Sequence, residues 1–291
     1  MGDDCALLRP DAGLDLAVTT DMLVEGRHFL PDAEPRALGH KALAVNLSDL
    51  AAMGATPRWA TLSLALPAIE PDWLERFAGG FYALAERHGV DLVGGDTTRG
   101  ERRTLSVTAI GEVPPEMALE RSGARPGDEI WVSGELGAAA LGLVHPEIRE
   151  AARRLHEPEP RVELGERLRR LAHAAIDVSD GLAGDLLHIA QRSRVSATID
   201  YERVPRPALF KELKSAELER DCVLSGGDDY ELLFTAPPAH RAELEALAAE
   251  LKLCLTPIGR IAAGTPGVSV VDGAGRPVPH RGGFDHFRDP R

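Results

Sequence analysis

Aromatic side chains are scarce in this sequence, because Phe, Trp and Tyr together make up 4% of its 291 residues. The apolar fraction of 44% therefore consists mainly of small aliphatic side chains, which are typical of a globular core. Surfaces that bind single-stranded nucleic acid stack bases on exposed aromatics, so that function is disfavoured. The net charge of −13 also repels phosphate backbones and anionic lipids, so we expect neither nucleic acid nor a membrane as a partner.

Cysteines and long apolar runs are also few. The three cysteines, Cys5, Cys222 and Cys254, lie far apart without a CxxC spacing. An odd and scattered set fits a reducing compartment. No apolar run is long enough to cross a bilayer, and the start Met1-Gly2-Asp3-Asp4 lacks the features of a signal peptide. We therefore expect a cytoplasmic protein.

Several common catalytic motifs are missing as well. There is no GxxxxGK[ST] phosphate loop, and the glycine-rich, HRD and DFG signatures of protein kinases are absent. A GxSxG nucleophile motif and the HExxH spacing of a zinc site are also lacking. Lysine is rare and arginine common, so the charge of a bound polyphosphate would be offset mainly by metal ions. These absences disfavour P-loop enzymes, protein kinases, serine hydrolases and zinc enzymes.

Strand and helix patterns alternate along the first part of the chain, which predicts an α/β (α+β) fold. Pro114-Pro115 is the strongest break, and we place a domain boundary there, with domains over 1–115 and 116–291. The predicted strands are 14–20, 58–66, 90–93, 105–113, 129–133, 230–235, 255–261 and 268–271. The predicted helices are 35–52, 72–88, 181–192 and 239–251, and 147–175 is expected to be largely helical.

Short acidic clusters recur at the predicted strand ends, often beside glycine. They are Asp3-Asp4, Thr20-Asp21, Asp49, Asp96, Asp177 with Asp180, and Asp228-Asp229. Any one of these carboxylates could equally be a turn residue or a helix cap. Carboxylates are, however, the hard oxygen ligands that Mg²⁺ prefers, and Mg²⁺ usually takes one or two of them and leaves the rest of its shell to water and phosphate. The recurrence therefore predicts metal-dependent phosphate chemistry.

Eight motifs, found in order along nearly the whole chain, resemble those of one enzyme family. The chain is similar to thiamine-monophosphate kinases, within the superfamily that includes aminoimidazole ribonucleotide synthetase and selenophosphate synthetase. The stretches that carry the resemblance are GDDCALL at Gly2, TTDMLVEGRHF at Thr19, KALAVNLSDLAAMGATP at Lys41, GGDTTRG at Gly94, RSGARPGD at Arg121, DVSDGL at Asp177, LSGGDDYEL at Leu224 and GGFDHF at Gly282.

The resemblance implies a two-domain aminoimidazole ribonucleotide synthetase-like fold. Its N-terminal α/β domain would form a homodimer, its C-terminal α/β domain would pack beside it, and the active site would lie in the cleft. The implied Mg²⁺ ligands are Asp4, Thr19, Thr20, Asp21, Asp49, Asp96, Asp177 and Asp180. The implied ATP contacts are Gly95, Asp96, Arg121 and Ser179, and the implied thiamine-monophosphate contacts are His28, Asp228 and Phe284. Asp21, Asp49, Asp96 and Asp177 would be the catalytic carboxylates.

The function that the resemblance implies is the Mg²⁺-dependent transfer of phosphate from ATP directly to thiamine monophosphate, which gives thiamine diphosphate. Two features depart from the family pattern: relatives usually carry a helix and a strand before Gly-Asp-Asp, and Asp228 stands where Glu is common. Two alternatives remain open. One is a sister enzyme that activates a carbonyl or selenide with ATP, and the other is a non-catalytic regulator that binds nucleotide or Mg²⁺.

Overall fold

A computed structural model describes residues 5–283 of the chain, and its first sheet has four strands. Asp4 and Phe284 fall outside the described residues, so their roles stay predictions. The strands are β1 (Asp15–Val24), β2 (Thr56–Leu66), β3 (Asp91–Arg99) and β4 (Thr104–Val113), in the order β1-β4-β2-β3. Helices α1 (Pro35–Ala52) and α2 (Pro71–His88) belong to the same part of the chain. β2 and β3 are parallel and joined through α2, whereas the other neighbouring strands are antiparallel.

The second sheet has six strands and is covered by helices on both faces. Its strands are β5 (Glu129–Ser133), β6 (Ala174–Asp177), β7 (Ser196–Asp200), β8 (Leu232–Ala236), β9 (Leu255–Ala262) and β10 (Gly267–Val271), in the order β10-β7-β9-β5-β8-β6. The helices are α3 (Ala138–Val144), α4 (Arg149–His156), α5 (Val162–Leu168), α6 (Leu182–Ser193), α7 (Leu209–Leu213), α8 (Ala216–Ser225) and α9 (Arg241–Leu251). The segment 114–128 joins the two sheets, and the predicted domain boundary falls in it.

Side chains alternate along the central strands of this second sheet. Trp131 and Phe234 lie in the hydrophobic cluster that also contains the core of the first domain. Ile130, Val132 and Leu233 point to the other face and pack in a separate cluster with α6 and α8. Because both faces are buried, three consecutive apolar residues form the centre of β5 (130–132) and the start of β8 (232–234). The two domains therefore share one core on one side of this sheet.

Helix α1 lies between the two domains and is buried on nearly every side. Pro35 stands in its first turn, and the side chain of Glu34 accepts hydrogen bonds from the backbone of Arg36 and Ala37, which caps the start. Small and aliphatic residues around its whole circumference let it pack on the first sheet as well as on the second domain. Its polar residues must therefore find partners inside the protein, and those partners build the site described below.

The structure corrects three of the sequence-based assignments. β1 continues to Val24, so Thr19, Thr20 and Asp21 lie within the strand and not at its end. Asp96 likewise lies inside β3, which runs to Arg99. The segment 174–177 is the short strand β6, although 174–175 were expected to end a helical stretch, because four residues are too few to carry a periodicity that separates the two. The two-domain α/β architecture itself is confirmed.

None of the helices found between residues 5 and 283 has the length and apolar character needed to cross a membrane.

Candidate active site

A cavity of about 560 Å³ lies where the two domains meet. The end of β1, the loop that follows it and one side of α1 form its wall in the first domain. Residues 179–180 and 227–230 form the opposite wall, and α3 and α4 contribute Leu143 and Leu155. Leu23, Phe29 and Val45 make much of the lining apolar. The cavity combines apolar walls with a few charged side chains, as small-molecule sites do.

Three carboxylates from three different elements converge beside this cavity. Asp21 comes from β1, Asp49 from α1 and Asp177 from the end of β6. The hydroxyl of Thr19 donates to Asp49, and the hydroxyl of Ser48 donates to Asp177 at 2.7 Å. Alternation along β1 places Thr19 and Asp21 on the same face of the sheet, toward α1. The buried polar side of α1 thus gathers the cluster.

The carboxylates raise one another's pKa. Burial, followed by the charges of Asp49 and Asp180, raises the pKa of Asp21 to about 6. Burial and the charge of Asp49 hold the pKa of Asp177 well above its usual range, despite the hydrogen bond from Ser48. Burial also raises the pKa of Asp49. Such a cluster of partly buried anions is a place where a cation is strongly favoured.

Asp180 and Ser179 lie on a loop that a further carboxylate holds in place. The carboxylate of Asp185, on α6, accepts hydrogen bonds from the backbone of Ser179, Asp180 and Gly181 at 3.0 to 3.1 Å. Burial and the neighbouring Asp180 raise the pKa of Asp185 to about 7, against the effect of these three amides. The loop is therefore fixed at the edge of the cavity, and Asp185 positions it.

Arg121 lies near the same cluster, on the segment that joins the domains. Its charge lowers the pKa of Asp49, although burial of Asp49 outweighs that effect. The hydroxyl of Ser193 donates to the backbone carbonyl of Arg121 at 2.8 Å and anchors the segment. A guanidinium at this place can pair with phosphate oxygens.

His28 and Asp228 also line the cavity, His28 from the wall of the first domain and Asp228 from the opposite wall. His28 Nδ1 accepts a hydrogen bond from the backbone of Val24 at 3.0 Å, so the turn after β1 orients the ring. Asp228 forms an ion pair with Lys41 at 3.1 Å and accepts from the hydroxyl of Tyr230 at 3.1 Å. Its loop packs so closely that a Cβ on Gly227 would lie 2.3 Å from the carbonyl oxygen of Ser179. Only glycine fits at that position.

Lys41, Tyr230 and His156 line the cavity but were not among the residues selected from the sequence. A signal for Lys41 was present, because it directly precedes the apolar run 42–45 within α1. Tyr230 stands inside the LSGGDDYEL motif, from which only Asp228 was predicted to be a site residue. Nothing in the sequence distinguishes His156 from the other histidines on charged helices.

Three predicted residues are not brought to the carboxylate cluster within one chain. Gly95 and Asp96 lie on β3, at the opposite edge of the first sheet from β1. Two strands separate them from Asp21, which corresponds to about 14 Å. The exposed Asp96 accepts from the backbone of Thr97 at 2.8 Å. Thr20 faces away from Asp21, and its hydroxyl lies 2.8 Å from that of Thr108.

The donor set of the cluster is chemically suited to Mg²⁺. It consists of carboxylate and hydroxyl oxygens, whereas the softer sulfur and imidazole donors are not part of it. Among residues 5–283, no group of three or more His, Cys, Asp or Glu side chains is arranged to enclose a single ion. Mg²⁺ commonly takes one or two protein carboxylates and completes its shell with phosphate and water.

Family models for the two halves of the chain agree with this architecture. Residues 2–113 match the N-terminal domain of AIR synthase related proteins, and residues 125–272 match the C-terminal domain. The two-domain fold, with its cleft lined by carboxylates, thus defines the chain as an AIR synthase-related protein.

Comparison with individual proteins narrows this class. A thiamine-monophosphate kinase from Salmonella typhimurium is 43% identical over 302 residues, which cover 100% of this chain and 92% of that protein. The crystal structure of thiamine-monophosphate kinase from Stenotrophomonas maltophilia is 51% identical, with a TM-score of 0.89 over 92% of this chain and 89% of that one. A structure described as AaThiL complexed with AMPPCP and TMP is 36% identical, with a TM-score of 0.83 over 99% and 92%. The chain belongs to the thiamine-monophosphate kinase family of enzymes.

Proposed function

We propose that this chain transfers the γ-phosphoryl group of ATP to the phosphate of thiamine monophosphate, which gives thiamine diphosphate and ADP. The observation that supports it most is the likeness to the relative complexed with AMPPCP and TMP, which extends over 99% of this chain. The cavity adds to it, because its lining combines carboxylates with apolar walls and an ion pair. A molecule with flat rings and a phosphate tail would fit this lining.

In the proposed reaction Asp21, Asp49, Asp177 and Asp180 would hold Mg²⁺, and Thr19 would add a hydroxyl oxygen. The ions would offset the charge of ATP, of the acceptor phosphate and of the transition state. Ser48 keeps the carboxylate of Asp177 directed toward the cluster. Asp185 holds the loop of Ser179 and Asp180, so that the nucleotide side of the cavity is preformed.

The acceptor phosphate is already an anion, so no strong general base is required. Catalysis would rest on holding donor and acceptor in line and on neutralising their charge. Arg121, beside Asp49, would steady the ATP phosphates. The transfer is proposed to be direct, without a phosphorylated residue on the protein.

We further propose that the active unit is a homodimer. β1 and β3 are the open edges of the first sheet. Large apolar side chains on one face of β1 are exposed, namely Leu16 at 47%, Val18 at 61% and Met22 at 56%. Open edges and apolar patches of this kind are normally covered. Two copies that pair β1 with β3 would close an eight-stranded barrel and cover both edges.

This dimer would also complete the site. The β3 strand of the second copy would lie along β1, so that the partner's Asp96 and Gly95 would approach the strand that carries Thr19, Thr20 and Asp21. We therefore propose that Asp96 binds metal and that Gly95 binds ATP across the interface, each in the site of the other chain. The cytoplasm, where ATP is available and Cys5, Cys222 and Cys254 can stay unpaired, is the proposed location.

The proposal is tested by incubating the protein with ATP and thiamine monophosphate, with Mg²⁺ and with a chelator. We expect thiamine diphosphate and ADP in equal amounts, and only when Mg²⁺ is present. Nucleotide hydrolysis without thiamine diphosphate would contradict the proposal and favour a sister enzyme with another acceptor. Nucleotide binding without any turnover would favour a regulator.

A further inference from the structure

Asn46 is a fully buried carboxamide in the middle of helix α1. It lies between Val45 and Leu47, is 0% exposed and does not line the cavity. Asn is a poorer helix former than most aliphatic residues, and burying a carboxamide costs free energy unless its polar atoms are paired. An apolar side chain would fill this place at a lower cost, so the partners of Asn46 should account for it.

Both ends of the Asn46 carboxamide are paired. Nδ2 donates to the backbone carbonyl of Ala42, one turn earlier in the helix, at 3.1 Å. Oδ1 accepts from the backbone N–H of Asp21, on β1, at 3.1 Å. The first bond stays within the helix, where a Ser or Thr hydroxyl commonly makes it as well. The second bond reaches another element and holds the main chain of one of the converging carboxylates.

A contact between Asp49 and Thr19 lies beside this bond. Asp49 is three residues after Asn46, so the two are neighbours on one face of α1, with Cβ atoms about 5–6 Å apart. Thr19 is two residues before Asp21, so both face the same side of β1, about 7 Å apart. The hydroxyl of Thr19 donates to Asp49, and the amide of Asp21 donates to Asn46. Helix and strand are thus joined at two points whose spacings match.

The edge position of β1 makes these two contacts important. Within the chain, β1 pairs with β4 along one side only, and its other side is an open edge of the sheet. The place of Asp21 relative to Asp49 therefore depends on how β1 is held against α1. Ser48, the fully buried neighbour of Asp49, holds Asp177 in a similar way, since its hydroxyl donates to that carboxylate at 2.7 Å.

We propose that Asn46 is a positioning residue for the metal ions of the reaction. It fixes the backbone of Asp21 and so sets the spacing between the carboxylates of Asp21 and Asp49. This inference rests on the proposed function, in which these carboxylates hold Mg²⁺. Groups that orient metal ligands from behind commonly change metal affinity or activity about 10–100-fold when they are replaced.

The test uses Asn46→Ser, because Ser can keep the bond to Ala42 but is too short to reach Asp21. Wild-type protein and variant are titrated with Mn²⁺ without nucleotide or acceptor, and free Mn²⁺ is followed by electron paramagnetic resonance. The dissociation constant of Mn²⁺ should rise about 10-fold or more in the variant. In turnover, kcat at saturating Mg²⁺ should fall about 10-fold, whereas KM for thiamine monophosphate should change less than about 3-fold.

The matched control is Leu43→Ala, which loosens α1 without removing the hydrogen bond. Leu43 is 0% exposed, lies three residues before Asn46 and does not line the cavity. This variant should unfold at a lower denaturant concentration than the wild-type protein, yet bind Mn²⁺ within about 2-fold of it. Equal weakening of Mn²⁺ binding in Leu43→Ala and Asn46→Ser would overturn the inference, and so would unchanged binding in Asn46→Ser.

Asn46→Thr covers the case in which Asn46→Ser does not fold. The extra methyl group fills more of the space, and the hydroxyl can still bond to Ala42. The same loss of Mn²⁺ affinity is expected, and wild-type affinity in this variant would overturn the inference. Because Mn²⁺ binding needs no turnover, a wild-type protein that binds Mn²⁺ without forming thiamine diphosphate would contradict the proposed function alone, and the comparison of Mn²⁺ affinities would still decide the role of Asn46.

Discussion

Replacing Asp21 with Asn is expected to lower kcat for thiamine diphosphate formation about 10²–10³-fold, the range seen when one preorganised electrostatic group is removed. Asp21 lies in the cavity wall and is proposed to hold a cation between the two phosphates. The amide is nearly isosteric with the carboxylate but carries no charge. The backbone of Asp21 would still donate to Asn46 at 3.1 Å, so the strand should keep its place.

The same substitution should stabilise the metal-free protein at neutral pH. Burial and the charges of Asp49 and Asp180 raise the pKa of Asp21 from 3.8 to about 6. The folded state therefore binds this proton more tightly than the unfolded state, and the resulting stability is present below pH about 4 and is lost as the pH rises through about 6. The shift corresponds to about 3 kcal/mol of unfolding free energy. Asp21→Asn should remove this fall, as denaturant unfolding in a chelator at pH 4 and pH 7 would measure.

Asp15→Asn is the matched control, because Asp15 is exposed at the start of the same strand and outside the cavity. It should leave kcat unchanged. Near wild-type turnover of Asp21→Asn at saturating Mg²⁺ would contradict the proposed role of this carboxylate.

Two inactive variants should restore activity when they are mixed. Asp21→Asn and Asp96→Asn are each expected to be inactive as homodimers, because every site would lack one of the two carboxylates. In a dimer with one chain of each kind, one site carries both substitutions and the other carries neither. Random exchange at equal amounts should therefore give about a quarter of wild-type activity, since half of the dimers are mixed and each has one intact site of two.

The reason for this expectation is the position of Asp96. Two strands separate it from Asp21 in the same chain, and both lie on open edges of the sheet. The chains are mixed under conditions that allow subunit exchange and compared with the unmixed variants and with a doubly substituted chain. Mixtures that stay inactive although mass measurement finds mixed dimers would show that Asp96 acts within its own chain or not at all.

Much of the fold could be predicted from the sequence, because several elements carry strong local signals. The pattern of α1, with Pro35 at its start, gave its bounds correctly, and Gly89 marks the end of α2. The strand β5 was also assigned correctly from its apolar residues. β6 was missed because its four residues follow a charged helical stretch, and only its pairing with β8 makes it a strand.

The site was predictable in its residue types but not in its spatial arrangement. The recurring Asp residues pointed to Asp21, Asp49 and Asp177, and the structure brings these three together. Their convergence depends on α1 lying between two sheets, which no local pattern records. The distance of Asp96 from them follows from strand order, and the pairing of Lys41 with Asp228 joins residues 187 positions apart. Such long-range contacts leave no trace in a single sequence.

The stereochemical course of the reaction tests the central claim most directly. ATP made chiral at the γ-phosphorus with oxygen isotopes and sulfur would be incubated with Mg²⁺, thiamine monophosphate and the wild-type protein, and the configuration of the thiamine diphosphate formed would be determined. A single in-line transfer between the two bound substrates predicts inversion at phosphorus. Retention of configuration, or label transferred to the protein, would contradict it, because each requires a phosphorylated residue between ATP and the product.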